Sequence, residues 1–323
     1  MTLKHKYPSM GLINNKEDWY EVRTLIQQDM MRPKSALYYT REMEEIASDV
    51  VGVIEEMKDD ENCFEINRMC QEFALEAVAY VFLGNRLNTL KGGADGKRMI
   101  DIVSQTGDFT QKMMFLPHWS FKFIPAYHKF CKLNVEMMDL CQSHLDRAKE
   151  RAEQTGDKDS MIAKLVGRCG KDSAIPLIVG IDSMSAGIDT TGSSACFLLY
   201  HLATNPDKQE ILHKEITDVV GAEGKLTESA LGKMKYMKAV QLESQRILPA
   251  IWGTSRYFER DVVIGGYRIP KETTVVKAGS FTAMDDKNFV DPDTFMPERW
   301  LRGHKARHSA DSFANIPFGH GAR

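Results

Sequence analysis

Six consecutive residues in the middle of the chain combine small, acidic and hydroxyl side chains suited to oxygen or proton chemistry. They run from Ala186 to Thr191, with the sequence AGIDTT. The Ala-Gly pair leaves room for a flat ligand beside the backbone, and a threonine hydroxyl can bond the carbonyl one turn back and open the helix locally. Asp189 and Thr190 are therefore candidates for carrying protons. A packing notch between helices beside a solvated acid explains the same residues equally well.

A second candidate is the pair Glu243 and Arg246, which have the i,i+3 spacing of neighbours on one helix face. Such a pair is usually a surface ion pair worth about half a kcal/mol. The apolar neighbours Leu242 and Ile247 favour a buried structural clamp instead. Arg299, in a Pro-Glu-Arg-Trp segment, is then a candidate third member.

Histidines occur in two further segments that could bind a ligand. His320 lies between two glycines in the closing sequence PFGHGAR, where backbone groups could approach a ligand closely. A lone histidine in such a segment is more often a loop residue than a ligand. His304 and His308 have helical i,i+4 spacing, but their run is basic and lacks a carboxylate, so we predict no metal site.

Composition excludes several classes of protein. The chain has 323 residues and a net charge of −3, which gives no general attraction to nucleic acid. Its six cysteines are scattered without a C-x-x-C pair, which disfavours zinc ribbons and disulfide scaffolds and favours a reducing compartment. The first ten residues lack a targeting pattern, and Asp182 and Asp189 interrupt the most apolar run, 175–200. We therefore expect neither a targeting segment nor a membrane anchor in this sequence.

The elements that must position these residues are mostly helices. Apolar spacing predicts a long helix over 173–203 that carries Asp189, and another over 233–248 that carries Glu243 and Arg246. Asn205, followed by a proline, predicts a helix start with a capping side chain. Gly84 predicts the C-cap of an earlier helix.

The pattern changes to period two near the end of the chain. Residues 262–264 and 267–269 flank Gly265 and Gly266, which predicts a tight hairpin, and 273–277 predicts a third strand. No repeat or linker is evident. The sequence therefore predicts one mainly α domain with a small β-sheet.

Taken together, the motifs resemble the cytochrome P450 family of haem-thiolate monooxygenases. A-G-x-D-T-T, E-x-x-R, P-E-R-W and F-G-x-G-x-R occur in this order, after a W-x-x-x-R that begins at Trp19. The resemblance runs from about Trp19 to the last residue. Ile269-Pro270-Lys271 and Thr254-Ser255-Arg256 look most like the animal mitochondrial branch.

The resemblance implies roles for matching residues. It implies haem b held through its propionates by four residues: Trp19, Arg23, Arg256 and Arg323. Three residues would shape the loop below the iron: Phe318, Gly319 and Gly321. Ala186 and Gly187 would line the oxygen side, Asp189 and Thr190 would deliver protons, and Glu243, Arg246 and Arg299 would form the family's structural triad.

The resemblance also implies an incomplete P450-like fold. In the family the last motif continues to the cysteine that ligates the iron, two residues beyond Arg323, and no other cysteine in this sequence matches it. We therefore expect residues 1–323 to be a single truncated haem-monooxygenase domain, from the W-x-x-x-R helix to just before that cysteine.

The implied reaction inserts one oxygen atom of O2 into a C–H bond of an apolar small molecule, sterol-like or xenobiotic. The mitochondrial resemblance implies a ferredoxin electron donor, which would dock at Lys233, Lys235 and Lys238; a merely solvated helix face is the alternative. The segment from Phe115 to Pro125 is either a membrane-dipping access lid or a hydrophobic loop packed on the core.

Location and activity leave alternatives open. The resemblance implies the matrix side of the mitochondrial inner membrane, with the endoplasmic reticulum as the alternative. The chain would be an active enzyme only with the axial cysteine. A non-catalytic fragment without that cysteine, or a helical interaction protein, are the other functions considered.

Overall fold

The structure is a computed structural model that describes residues 16–30, 38–57, 65–113, 118–170, 173–221, 226–304 and 313–321. The chain forms two compact units, Met1–Gly192 and Ser193–Arg323. The division falls inside one continuous helix, so the single domain expected from the sequence stays a prediction.

The first unit is built from helices. Their bounds are α1 Lys16–Met30, α2 Thr40–Met57, α3 Ile66–Leu83, α4 Ala94–Met113, α5 Pro125–Thr155, α6 Met161–Cys169 and α7 Ile175–Thr204, whose last turns belong to the second unit. Short 3-10 turns occupy Thr89–Lys91 and His118–Phe123. The predicted C-cap at Gly84 is confirmed, because its φ of 63° is left-handed and its N–H donates to the carbonyl of Tyr80.

The core of the first unit forms where the apolar stripes of α3 to α7 meet. Leu75 of α3, Met99 of α4, Leu165 of α6 and Ile188 of α7 have no exposed surface and belong to one cluster. Because Ile188 is anchored in this core, the polar residues next to it on α7 are held at fixed positions.

The second unit combines short helices with two small antiparallel sheets. The elements are α8 Pro206–Val220, α9 Glu228–Lys233, α10 Lys235–Ile247, β1 Thr254–Tyr257, β2 Val262–Ile264, β3 Tyr267–Ile269, β4 Thr274–Lys277, α11 Gly279–Ala283 and a 3-10 turn over Pro297–Trp300. The fold class predicted from the sequence, mainly α with small β structure, is confirmed.

The strands pair differently from the single small sheet that we expected. The hairpin is confirmed, since β2 pairs with β3 in the register Val262 to Ile269 and both turn glycines, Gly265 and Gly266, have positive φ. The third strand, β4, pairs instead with β1, whose residues Thr254 to Tyr257 the sequence did not predict as a strand. Pairing partners far apart in the chain are not encoded in local spacing.

Two helix boundaries also differ from the sequence prediction. The helix expected over 233–248 is broken at Met234, because the Glu215 carboxylate of α8 accepts the N–H groups of Tyr236 and Met237 at 2.7 and 2.8 Å and thereby caps α10. Asn205 precedes α8 as predicted, but its side chain does not cap that helix. Its amide donates to the carbonyl of His201 at 2.8 Å, so it closes the end of α7 instead.

No helix in the described part of the chain is both long and apolar enough to cross a bilayer.

Candidate functional site

The acid–hydroxyl segment lies in α7 of the first unit. The Thr190 hydroxyl donates to the carbonyl of Ala186 at 2.7 Å, the bond one turn back that the sequence suggested. The helix nevertheless continues unbroken from Ile175 to Thr204, so the expected local opening is absent from the structure. Ala186 is exposed, and Thr190 follows it one turn later. This part of α7 therefore offers a small side chain and a hydroxyl on one face.

Gly187 and Asp189 face other helices. A Cβ placed on Gly187 would lie 3.2 Å from Cγ2 of Val78, so α3 closes on α7 at this glycine. In the first unit, the missing side chain of Gly187 therefore admits Val78. This is the packing-notch alternative for this residue, and its role beside a haem stays a prediction.

The Asp189 carboxylate lies where α3 and α4 meet α7. Its Oδ1 accepts a hydrogen bond from Gln71 Nε2 at 3.2 Å, and the same Nε2 lies 3.4 Å from the Ser104 hydroxyl. Burial raises the pKa of Asp189, the negative charge of Asp108 raises it further, and the Gln71 hydrogen bond partly opposes both. The sequence did not single out Gln71 or Ser104, since neither stands in a recognisable motif.

The Glu243 carboxylate in the second unit holds two arginines. Arg246 Nη2 and Arg299 Nε each lie 2.8 Å from its Oε1, and all three side chains have at most 1% exposed surface. Trp300 Nε1 donates to Oε2 at 2.8 Å. The three residues expected to form a clamp are thus in direct contact, and the indole of Trp300 adds a donor that sequence spacing did not identify.

Backbone carbonyls receive the remaining donors of this clamp. Arg246 donates to the carbonyls of Ala283 and Pro292 at 2.9 and 2.7 Å, and Arg299 donates to that of Val290 at 2.9 Å. The Phe289 ring lies 5.0 Å from the guanidinium carbon of Arg246. The clamp therefore ties α10 to the irregular segment around residues 283–300, which local propensity alone would not hold in place.

The glycine-rich loop is described as far as Gly321, so Arg323 lies outside the described residues. Gly319 has a φ of 74°, and a Cβ on it would lie 3.7 Å from Nη2 of Arg256 on β1. The exposed Arg256 donates from Nη1 to the carbonyl of Ser255, its own neighbour. Phe318 is 86% exposed, and Gly321 also has positive φ. The structure thus brings Arg256 beside this loop.

Trp19 and Arg23 lie one turn apart on α1. The guanidinium carbon of Arg23 is 5.7 Å from the Trp19 ring centroid, a cation–π arrangement. Trp19 also packs against Val22 and Ile178, which holds α1 to the start of α7. Both candidate propionate partners in this unit are therefore kept in a fixed orientation.

The three lysines of the expected docking face do not share a helix. Lys233 ends α9, whereas Lys235 and Lys238 belong to α10, because the break at Met234 separates them. Lys235 and Lys238 line a cavity of about 620 Å³ together with Trp300 and Arg302. The basic surface is thus carried by α10 and the segment after Trp300 rather than by one continuous helix.

The aromatic segment from Phe115 to Pro125 is described from His118 onwards. His118–Phe123 is a 3-10 turn, Phe123 is 79% exposed, and the Phe121 ring lies 5.6 Å from that of Tyr127 on α5. Part of the segment therefore packs on α5 while one aromatic side chain faces outwards, which leaves both alternatives open. His308 lies outside the described residues.

Among the described residues, Arg256 is suited to bind the propionate carboxylates of a haem. Arg256 keeps guanidinium N–H groups beyond the one that bonds Ser255, and guanidinium donors suit propionate groups. None of the cysteines that the structure describes is suited to be the thiolate ligand of the iron. Cys70 and Cys141 are buried, burial raises the pKa of Cys141 to about 12, and Cys131, Cys169 and Cys196 sit half-buried on helices. Across the described ranges, no cluster of His, Cys, Asp and Glu could hold a metal ion.

Comparison with known proteins identifies the family. Residues 2–323 match the family described as "Cytochrome P450". The match covers nearly the whole chain, so the chain belongs to the cytochrome P450 family, and the resemblance of its motifs is confirmed.

Similar proteins include several named as mitochondrial. The chain is 29% identical to "Cytochrome P450 CYP12A2" of Musca domestica, over 97% of this chain and 63% of that protein. It is 28% identical to "25-hydroxyvitamin D-1 alpha hydroxylase, mitochondrial" of Rattus norvegicus, over 99% and 67%. It is 26% identical to "Sterol 26-hydroxylase, mitochondrial" of Oryctolagus cuniculus, over 95% and 60%. The chain thus spans about three-fifths to two-thirds of the length of these relatives.

Proposed function

We propose that this chain belongs to a haem-dependent monooxygenase that inserts one oxygen atom of O2 into a C–H bond of an apolar small molecule. Membership of the cytochrome P450 family supports this reaction class. The observation that carries it is the succession on α7 of Asp189, whose pKa burial raises, and Thr190, whose hydroxyl donates to the Ala186 carbonyl one turn back. Both residues are half-buried, where polar side chains cost desolvation that apolar ones would not.

Haem b would supply the oxygen-activating chemistry when bound. In the first unit, Arg23 and Trp19 would contact a propionate, and the small side chain of Ala186 would leave room beside α7. In the second unit, Arg256 would contact a propionate, and Phe318, Gly319 and Gly321 would shape the loop near the iron. Arg323 and the axial cysteine belong to the same proposal.

Asp189 and Thr190 would handle protons. An acid whose pKa is raised holds its proton closer to neutral pH and can give it up to a neighbouring hydroxyl or water. The Thr190 hydroxyl donates to the Ala186 carbonyl, and a hydroxyl oxygen can accept hydrogen bonds while it donates one, as a group that passes a proton must.

The substrate would be sterol-like. Two of the relatives described above are named as a sterol hydroxylase and a vitamin D hydroxylase. The junction of α4 and α5 is aromatic, with Phe109 stacked on Phe130 at 4.9 Å, and this suits an apolar ligand in its neighbourhood. A xenobiotic of similar polarity is the second choice.

A ferredoxin would supply the electrons, and the protein would act in mitochondria. The names of several relatives support this location, with the matrix side of the inner membrane as the finer placement. Lys235 and Lys238 are exposed beside the α10 cavity, where their charge would attract an acidic partner. The aromatic segment with exposed Phe123 would touch the membrane surface.

The test uses the complete protein that contains this chain, loaded with haem. The reduced protein is bound to carbon monoxide to look for a thiolate-type spectrum, and it is then supplied with ferredoxin, its reductase, ¹⁸O2 and a panel of sterols, secosteroids and xenobiotics. We expect the thiolate spectrum and one labelled oxygen atom in the product. A protein that binds haem but forms no labelled product with any class would overturn the monooxygenase proposal, and one that takes up no haem would favour an interaction protein.

A further inference from the structure

We infer that the α3–α4 side of the first unit is the proton entry to Asp189, with Gln71 as a positioning residue and Asp108 at the solvent end. This inference rests on the proposed function, because it concerns how Asp189 is reloaded with protons. Its geometry involves only residues of the first unit.

Gln71 connects three helices through one nitrogen. Its Nε2 lies 3.2 Å from Asp189 Oδ1 on α7 and 3.4 Å from the Ser104 hydroxyl on α4. An amide nitrogen has two N–H donors, so both contacts can be made at once. The Asp189 carboxylate is restricted in its rotation because Oδ1 accepts one of these N–H groups. Its Oδ2 then points towards Gly107 of α4.

Backbone packing leaves Gln71 little freedom to move away. A Cβ added to Gly192 of α7 would lie 3.2 Å from the backbone N and Cα of Gln71, so α3 and α7 are in close contact there. The side chain of Gln71 therefore leaves α3 directly beside α7. This contact fixes the position of the Gln71 backbone, and the two hydrogen bonds of Nε2 set the direction of its amide.

Gly107 of α4 lies beside the other carboxylate oxygen of Asp189. A Cβ on Gly107 would lie 3.6 Å from Asp189 Oδ2, so any longer side chain at this position of α4 would cover that oxygen. The next residue, Asp108, is exposed, and its charge helps to raise the pKa of Asp189. Asp108 is exposed and follows the glycine that lies beside Asp189 Oδ2, so it can exchange protons with bulk water and pass them to Asp189.

The charges around Asp189 suit this role. Arg68 of α3 already contacts Asp101 at 2.6 Å and Glu72 at 3.3 Å. Among the described residues Asp189 itself makes no ion pair. An acid without a cationic partner keeps a pKa nearer neutral and can cycle between its two forms. The step is a proton transfer alone: Asp108 passes a proton to Asp189 through water and regains one from the solvent.

The test measures the Asp189 carboxyl directly, in the complete haem-loaded protein. Its titration is followed by infrared spectroscopy of the carboxyl stretch and assigned by subtraction of the Asp189→Asn spectrum. Gln71→Leu removes a hydrogen bond that favours the charged form, so the midpoint should rise. Asp108→Asn removes a neighbouring negative charge, so the midpoint should fall. These opposite shifts show that both residues act on the Asp189 carboxyl, and an unchanged kcat in both variants despite the shifts would overturn the proton entry.

Turnover supplies the second readout. General acid–base groups typically contribute 10² to 10⁴ in rate, so partial loss of proton supply should lower kcat about tenfold in Gln71→Leu and Asp108→Asn and increase the solvent isotope effect. Gln105→Leu is the matched control, because Gln105 is also half-buried on α4 but donates to the Asp101 carbonyl of its own helix at 3.2 Å. It should change neither quantity.

The two proposals fail differently. Unshifted Asp189 midpoints in both variants of a protein that forms product would overturn the proton entry and leave the monooxygenase intact. Opposite midpoint shifts in a protein that forms no product would keep the positioning role of Gln71 and remove the proposed function. Circular dichroism of each variant establishes that it is folded before it is titrated.

Discussion

Arg246 places two guanidinium nitrogens on the carboxylate of Glu243: Nε lies 3.0 Å from Oε2, and Nη2 lies 2.8 Å from Oε1. Neither side chain has any exposed surface. Because Arg299 shares the same carboxylate, one negative charge compensates two buried positive charges. The backbone carbonyls that accept hydrogen bonds from both arginines partly compensate the remaining positive charge.

The first prediction concerns this carboxylate. Glu243→Gln keeps its shape but leaves two buried cations without a counter-charge, so it should lower the free energy of unfolding by about 3–5 kcal/mol. Urea denaturation measures the change. The control is Glu45→Gln in the exposed pair with Arg41 on α2, which should cost less than about 1 kcal/mol. Equal effects of the two substitutions would contradict a buried clamp.

The second prediction is a loss of stability in acid through His201. Burial lowers the pKa of His201, Arg246 lowers it further, and Glu243 opposes them. Its ring stacks on Phe295 at 4.6 Å, and Nε2 has no hydrogen-bond partner in the described part of the chain. The unfolded chain takes up this proton below about pH 6.5, whereas the folded chain resists it, so stability falls as pH drops through that range.

The check is His201→Phe, which keeps a stacking ring without the titrating nitrogen. As the pH falls from 7 to 5, the free energy of unfolding of this variant should rise relative to that of the unchanged protein, because only the unchanged protein loses stability through protonation of His201. His213→Phe, at an exposed position of α8, controls for the added ring. A difference between the His201 variant and the unchanged protein that stays constant with pH would refute the prediction.

The third prediction tests Thr190. Thr190→Ala removes the hydroxyl that donates to the Ala186 carbonyl, and proton delivery to oxygen should suffer while substrate still binds. We expect a larger share of the electrons to end in peroxide, measured as peroxide and product per electron donor consumed. The exposed neighbour Thr191→Ala is the control. Unchanged coupling in the Thr190 variant would remove this residue from the mechanism.

The fourth prediction separates the lysines by helix. Reversing the charge of Lys235 and Lys238, which line the α10 cavity, should raise the apparent KM for ferredoxin and flatten its dependence on salt. Lys233→Glu, at the end of α9, should do so less. If all three reversals have the same effect, general attraction rather than a docking site on α10 explains the association.

The fifth prediction concerns the notch on α7. Gly187→Ala gains about 1 kcal/mol of helix propensity, but its Cβ would lie 3.2 Å from Val78, and overpacking costs about 1–3 kcal/mol. We expect net destabilisation in urea, relieved by the second substitution Val78→Ala. Gly52→Ala on α2 is the control, because its Cβ has no neighbour within 4 Å and should stabilise the protein. Stabilisation by Gly187→Ala would contradict the prediction, because it would show that Val78 and α3 move aside at little cost.

Local patterns in the sequence determined much of this protein. Helix stripes, the cap at Gly84 and the turn glycines Gly265 and Gly266 depend on near neighbours, and these were predicted. The motif residues also determined the family, because their types and order survive without knowledge of contacts. For the same reason Glu243 and Arg246 could be paired at i,i+3 before the structure was seen.

Only the tertiary structure decided what surrounds these residues. The spacing of Glu243 and Arg246 is the same for a surface pair and a buried clamp, and contact with Arg299, 53 residues beyond Arg246, made it the latter. Glu215 of α8 set the start of α10, because its carboxylate caps the first turn of that helix from another element. Gln71 reached Asp189 across 118 residues of chain. Side chains acting from distant elements have no local signature, because folding alone determines which of them become neighbours.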